Sequence, residues 1–150
     1  MPHSYTSCLF HCVFSTSKRR RLLTPELRTR LFPFLTGIAR NNQIKIIAIG
    51  GIEDHVHILL SIPSTMHIAK TMQLIKAGSS KWIHETFPKL STFEWQEGYG
   101  AFSLSISHLK ETITYIENQE THHQKQSFEE ELKAFLYKHN ITYDERYLLG

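Results

Sequence analysis

A chain of 150 residues with 41% hydrophobic content can bury one well-packed core and is too short for two ordinary domains, so one domain over 1–150 is expected. A formal charge of +3, ten histidines and a pI near 8.9 permit a nucleic-acid partner without requiring one. No run approaches the ~20 consecutive apolar residues of a membrane span, and the N-terminus lacks the basic-then-apolar layout of a signal peptide, which makes a cytoplasmic location the expectation.

Tyr5 to Ser15 is rich in aromatic and β-branched residues without proline or glycine, and predicts the first strand. Lys18-Arg19-Arg20-Arg21 follows as a basic loop. Thr24-Pro25-Glu26 opens a helix with a cap, a first-turn proline and an acid, and Leu27, Leu31, Phe34, Leu35 and Ile38 form its apolar stripe to about Asn41, with a bend expected at Pro33. Ile44–Ile49 and Val56–Ile62 read as two strands joined by a turn over Gly50-Gly51-Ile52-Glu53-Asp54. Ser64 is placed to cap a helix running through Ile68, Met72 and Ile75 to about Glu85, stopped by Phe87-Pro88. Gly98 and Gly100 lead into a fourth strand with alternating Phe102, Leu104 and Ile106. A helix capped by Ser107 then extends through Leu109, Ile113 and Ile116 to about Thr121, and Ser127 with Glu130 has the spacing of a capping box for a last helix to about His139. Strand, helix, strand, strand, helix, strand is the ferredoxin-like α+β order, an antiparallel sheet covered by helices with extra C-terminal helices outside the basic unit. One sheet face is then left for other work.

On that frame, His55 and His57 flank an apolar Val56 and project from one strand face roughly 6–7 Å apart, close enough to reach one ion. Tyr115 and Gln119 stand one helical turn apart, with Cβ atoms roughly 5–6 Å from each other, so a phenol and a carboxamide share a surface. Either pattern alone is commonplace; together they supply a nucleophile and three ligands suited to Mg²⁺ or Mn²⁺, with vacancies for phosphate oxygens. A free phenol, pKa near ~10, is almost wholly protonated at neutral pH and needs help to attack phosphorus, which a divalent ion at the phosphodiester would provide. No Gly-rich phosphate loop ending in Lys-Ser or Lys-Thr is present, so no nucleotide cofactor is expected.

Other residues keep two readings. The basic loop, Lys76 and Lys81 can contact DNA phosphates or simply be solvated. His122-His123 can touch phosphate or serve a helix end. Asp54 can orient an imidazole or cap the hairpin turn, and His11 can face the site or be a satisfied core histidine. Trp82, Trp95 and Tyr99 can stack on bases or belong to the core. Cys8 and Cys12 read as reduced core residues rather than a disulfide or zinc site.

Val13-Phe14-Ser15-Thr16, Asp54-His55-Val56-His57, Ser79-Ser80-Lys81-Trp82, Trp95 through Ser103, and Tyr115-Ile116-Glu117-Asn118-Gln119 with His122-His123 occur in an order that resembles the single-tyrosine transposases of the insertion sequence 200/605 type, within the His-hydrophobe-His endonucleases. The resemblance covers nearly the whole chain. It implies His55, His57 and Gln119 as metal ligands and Tyr115 as nucleophile. It also implies a homodimer that recognises single-stranded DNA hairpins near element ends and cuts and rejoins strands through a 5′-phosphotyrosine link, with the tyrosine helix of one subunit able to complete the other's histidine pair. The basic loop is more positive than the family pattern. The alternatives are a hairpin-binding module whose tyrosine is structural, or a domesticated relative that processes palindromes.

Overall fold

The computed structural model describes residues 4–122 and 126–149. Four strands, β1 (Leu9–Ser15), β2 (Lys45–Gly51), β3 (His55–Ser61) and β4 (Gly100–Ser103), form one antiparallel sheet in the order β2-β3-β1-β4. Helices α1 (Pro25–Asn41) and α2 (Ile68–Thr86) are the two crossovers, and α3 (Leu109–Glu117), α4 (Gln119–His122) and α5 (Phe128–Lys138) follow β4. The strand and helix order is the ferredoxin-like one expected.

Period-two alternation makes the sheet two-sided. Cys12 and Phe14 of β1 and Val56, Ile58 and Leu60 of β3 face α1 and α2, joining Leu27, Leu31, Leu35, Met72 and Ile75 in the main core. Burial pushes the Cys12 thiol up to about 12, the state of an inert core residue, and both cysteines are free. The opposite face carries His11, Val13, His55, His57 and Leu59, all buried. It is not left open: α5 covers it by packing Phe128, Leu132 and Leu136 on Val13 and Phe102, while Ile116 of α3 packs on Ala48 and Leu59.

Local expectations fail where tertiary contacts decide. β1 begins at Leu9, not Tyr5, because pairing with β3 starts at Leu9↔Ser61. α1, by contrast, runs through Pro33 to Asn41 as expected. Ser64 does not cap α2; His67 Nδ1 accepts from Lys70 N at 3.2 Å and fills that role. Ser107 sits in a short 3₁₀ turn, Ile106–His108, which takes the place of the strand expected through Leu104 and Ile106. The tyrosine helix breaks at Asn118 instead of running on to Thr121. The Ser127–Glu130 capping box forms as expected.

Gly50 and Gly51 belong to β2 rather than to the turn, paired with His57 and Val56. A Cβ on Gly50 would fall 2.1 Å from the Ile116 carbonyl oxygen, so the bare glycine lets α3 lie directly on the sheet. Gly50→Ala should therefore lose about 1–3 kcal/mol of stability to overpacking. Gly37→Ala, in α1 with nothing within 4 Å of the added carbon, should gain roughly 0.5–1 kcal/mol from the lower helix cost of alanine. Urea denaturation of the two variants checks both signs, and equal behaviour would mean that α3 does not bear on β2.

Candidate active site

The polar face of the sheet gathers three buried imidazoles. His57 Nδ1 meets Nε2 of His11, which lies diagonally across on β1, at 2.7 Å, and His55 Nδ1 meets Asp54 Oδ1 at 2.7 Å. Asp54 thus orients His55, as one of its two readings held. Burial and the nearby His57 push His11 down to about 3, so it stays neutral as a hydrogen-bonding neighbour of the pair. Burial opposes a charge on His55, but Asp54 and Glu131 outweigh it and hold its pKa above the ordinary value.

Onto these imidazoles α5 lowers a carboxylate. Glu131, 2% exposed, places Oε1 2.9 Å from His57 Nε2 and 3.4 Å from His55 Nε2. Its other oxygen accepts from the Tyr115 hydroxyl and lies 3.5 Å from His122 Nε2. Taking a carboxylate out of water costs several kcal/mol unless positive charge or donors meet it. Protons on the imidazoles, or a cation bound among them, satisfy both sides. The donor atoms of His55, His57 and Glu131 lie within 4.8 Å of one another and could hold a metal ion.

Tyr115 projects from α3 into the same cluster, its ring 5.7 Å from that of His57 and 4.7 Å from that of His122. Burial first, then the charge of Glu131, drive its pKa upward, so the phenol keeps its proton. The structure brings the tyrosine and the histidine pair together within one chain. Gln119, one turn on, donates from Nε2 to the Tyr115 carbonyl at 3.0 Å, and among the described residues its buried Oε1 has no hydrogen-bond partner. That orphaned amide oxygen is of the kind a cation would satisfy, and it counts in favour of an ion at this site. Gln119 also lines a groove of about 530 Å³ with Arg28, Gly50 and Gly51. Arg28, buried in α1, donates to the Leu23 carbonyl at 2.6 Å and to Glu120 at 3.0 Å, tying α4 to the first helix.

The basic residues take different positions. Lys18, Arg19, Arg20 and Arg21 are exposed, with Lys18 and Arg19 in left-handed backbone (φ 57° and 54°). Their loop is bracketed by backbone bonds from Thr16 N to Asp54 O and from Leu23 N to Glu53 O, both 2.9 Å, which hold it beside the turn that precedes His55. Arg21 pairs with Glu53 at 3.2 Å. Lys81 is exposed, whereas Lys76 donates to the carbonyls of Gln96, Glu97 and Gly98 at 2.6, 3.1 and 2.8 Å and so braces the loop before β4. Trp95 is core, donating to Ser79 Oγ at 3.0 Å; Trp82 stacks on Phe34 with centroids 4.7 Å apart. His123 lies outside the described residues.

Glu131 was not among the expected site residues. A signal for it existed: Phe128, Leu132, Phe135 and Leu136 form the apolar stripe of the last helix, and position 131 falls on that stripe, unlike Glu130. An acid on a buried helix face needs a polar partner, but nothing local says that the partner is a histidine pair on β3.

Over 90 residues the chain is 29% identical to the transposase for insertion sequence element IS200 of Salmonella typhimurium, a match covering 60% of this chain and 59% of that relative. It is 25% identical over 115 residues to the ISDra2 transposase TnpA of Deinococcus radiodurans, covering 73% of this chain and 82% of that protein. In fold it is similar to a crystal structure titled as a transposase from Deinococcus radiodurans R1 (TM-score 0.67, 24% identity, 79% of this chain and 95% of that one). It is also similar to a REP-associated tyrosine transposase bound to a REP hairpin (TM-score 0.58, 15% identity, 77% and 68%). The family described as Transposase IS200 like matches residues 4–119, which span β1 to Gln119, and the chain belongs to that family.

Proposed function

We propose that this protein cuts and rejoins single-stranded DNA at insertion-sequence ends, with Tyr115 as nucleophile and a 5′-phosphotyrosine intermediate. The reading is supported above all by the convergence of the Tyr115 hydroxyl and the His55–His57 pair on one buried cluster. A tyrosine needed only for packing would have no reason to point its hydroxyl at the carboxylate that faces both imidazoles.

His55 and His57 would hold a divalent ion, Mg²⁺ or Mn²⁺, with the Gln119 carboxamide as a third ligand; when bound, the ion supplies charge neutralisation at the scissile phosphate. The protein's own groups do the rest. Asp54 and His11 engage the Nδ1 atoms of His55 and His57, turning both Nε2 atoms toward the place where Tyr115 enters. α3, seated on Gly50, fixes the height of the phenol above the sheet. Lys18, Arg19, Arg20, Arg21 and Lys81 are proposed phosphate contacts, and Lys76 is proposed to act by shaping the 96–98 loop as well as by its charge.

The proposed ligand is a DNA hairpin near an element end. The tyrosine transposase that shares this fold is bound to a REP hairpin, which favours a hairpin over unstructured strand and keeps palindrome processing as the second reading. A homodimer and a cytoplasmic location belong to the same proposal; among the described residues no helix is long and apolar enough to cross a membrane.

Oligonucleotides from the DNA flanking the gene, incubated with protein and Mn²⁺ or Mg²⁺ and resolved under denaturing conditions, test the reading. Tyr115→Phe should abolish the covalent protein–DNA adduct while hairpin affinity changes by less than about twofold. Tight hairpin binding with no adduct from the wild type would instead favour a binding module. His57→Ala should weaken Mn²⁺ binding in calorimetry and adduct formation together, and chelation by EDTA should reproduce the second effect in the wild type; unchanged Mn²⁺ affinity would remove His57 from the ligand set.

A further inference from the structure

The family match ends at residue 119, yet the residue on which the cluster closes is Glu131, twelve positions further on. We propose that Glu131 is the proton acceptor for the Tyr115 nucleophile and that its second oxygen is a ligand of the ion held by His55 and His57. This rests on the strand-transfer reading above.

The two carboxylate oxygens are divided between two tasks. Oε1 faces His57 Nε2 at 2.9 Å and His55 Nε2 at 3.4 Å, and Oε2 accepts the phenol's hydrogen. A base must already be in hydrogen-bond reach of the proton it removes, and Glu131 is. His122 is the other candidate, with Nε2 3.2 Å from the phenol oxygen. That same nitrogen also lies 2.8 Å from Gln126 Oε1 and is shared with it, whereas Glu131 Oε2 accepts from the phenol directly. The helix that supplies Glu131 also argues for a specific role. Its flanking acids Glu129 and Glu130 are at the surface end of the helix, with Glu130 in the capping box, while Glu131 occupies a buried position that an apolar residue would fill at lower cost.

The step balances as follows. The Tyr115 oxygen forms a bond to phosphorus as the bond from phosphorus to the 3′-oxygen breaks, and the phenol proton passes to Glu131 Oε2. The electron pair leaves with the 3′-oxygen, which takes a proton from water to give a free 3′-hydroxyl, the hydroxide passes to solvent, and Glu131 keeps the phenol proton. In the joining step an incoming 3′-hydroxyl loses its proton to solvent, and Glu131 protonates the departing tyrosine oxygen.

Glu131→Gln keeps the side chain's size and removes its basicity. The variant should melt like the wild type and bind the hairpin equally well, yet form adduct about 100-fold more slowly or worse. Titration of the DNA-free protein with manganese alone should show affinity reduced about tenfold or more. Glu131→Asp, still a carboxylate, should recover part of the adduct rate. Wild-type adduct rate in Glu131→Gln overturns the proton-transfer role, as does Glu131→Asp no faster than Glu131→Gln. Unchanged manganese affinity in Glu131→Gln overturns the ligand role. Absence of adduct from the wild type itself overturns the strand-transfer reading and the proton-transfer role with it, while the manganese titration continues to decide ligation.

Discussion

Everything at the candidate site depends on one sheet having two buried faces of opposite character. Along β1 and β3 alternate residues turn to α1 and α2 as hydrocarbon, and the residues between them, three imidazoles among them, turn the other way. The first face supplies the packing that holds the strands in register. Only because that register is fixed do His11 and His57 meet across the sheet at hydrogen-bond distance. A slip of one residue would exchange the two faces, burying the histidines in the main core and leaving Val56 in the site.

Polar groups buried on the second face must be satisfied internally, and the helices after β4 do this. α3 brings Tyr115, α5 brings Glu131, and Asp54 stands at the mouth of β3. The network has a positive requirement at its centre: two imidazole nitrogens face a carboxylate oxygen at 2.9 and 3.4 Å, an arrangement that calls for protons or a cation between them. The Gln119 Oε1 adds a further acceptor with no donor among the described residues. A site built this way is costly to leave half satisfied, and the fold is correspondingly exact around it, with α3 seated on a glycine and Arg28 holding α4 from below.

Much of this was legible in the chain. The alternation around Val56 placed the histidine pair on one face, and the Thr24-Pro25 and Ser127-Glu130 signals set two helix starts correctly. Those features depend on neighbours within a turn or a strand. The errors were also local in origin: Ser64 and Ser107 have cap chemistry, but the path of the chain into each helix made His67 the cap of α2 and left α3 without a side-chain cap. Gly50 and Gly51 look like a turn and are strand, because their function is to admit another helix's backbone. The Lys76 ammonium meets three carbonyls that only the folded loop brings together, a contact no local signal encodes.

By itself the sequence determined the order of elements and which face of β3 carries the histidines, since each follows from a repeat of two or 3.6 residues. Tertiary structure decided that the second sheet face is closed, that Tyr115 reaches the histidine pair of its own chain, and that Glu131 completes the cluster. Tyr115 stands 58 positions from His57, and Glu131 stands 74 from it, and no local periodicity encodes which distant polar group a buried one will meet.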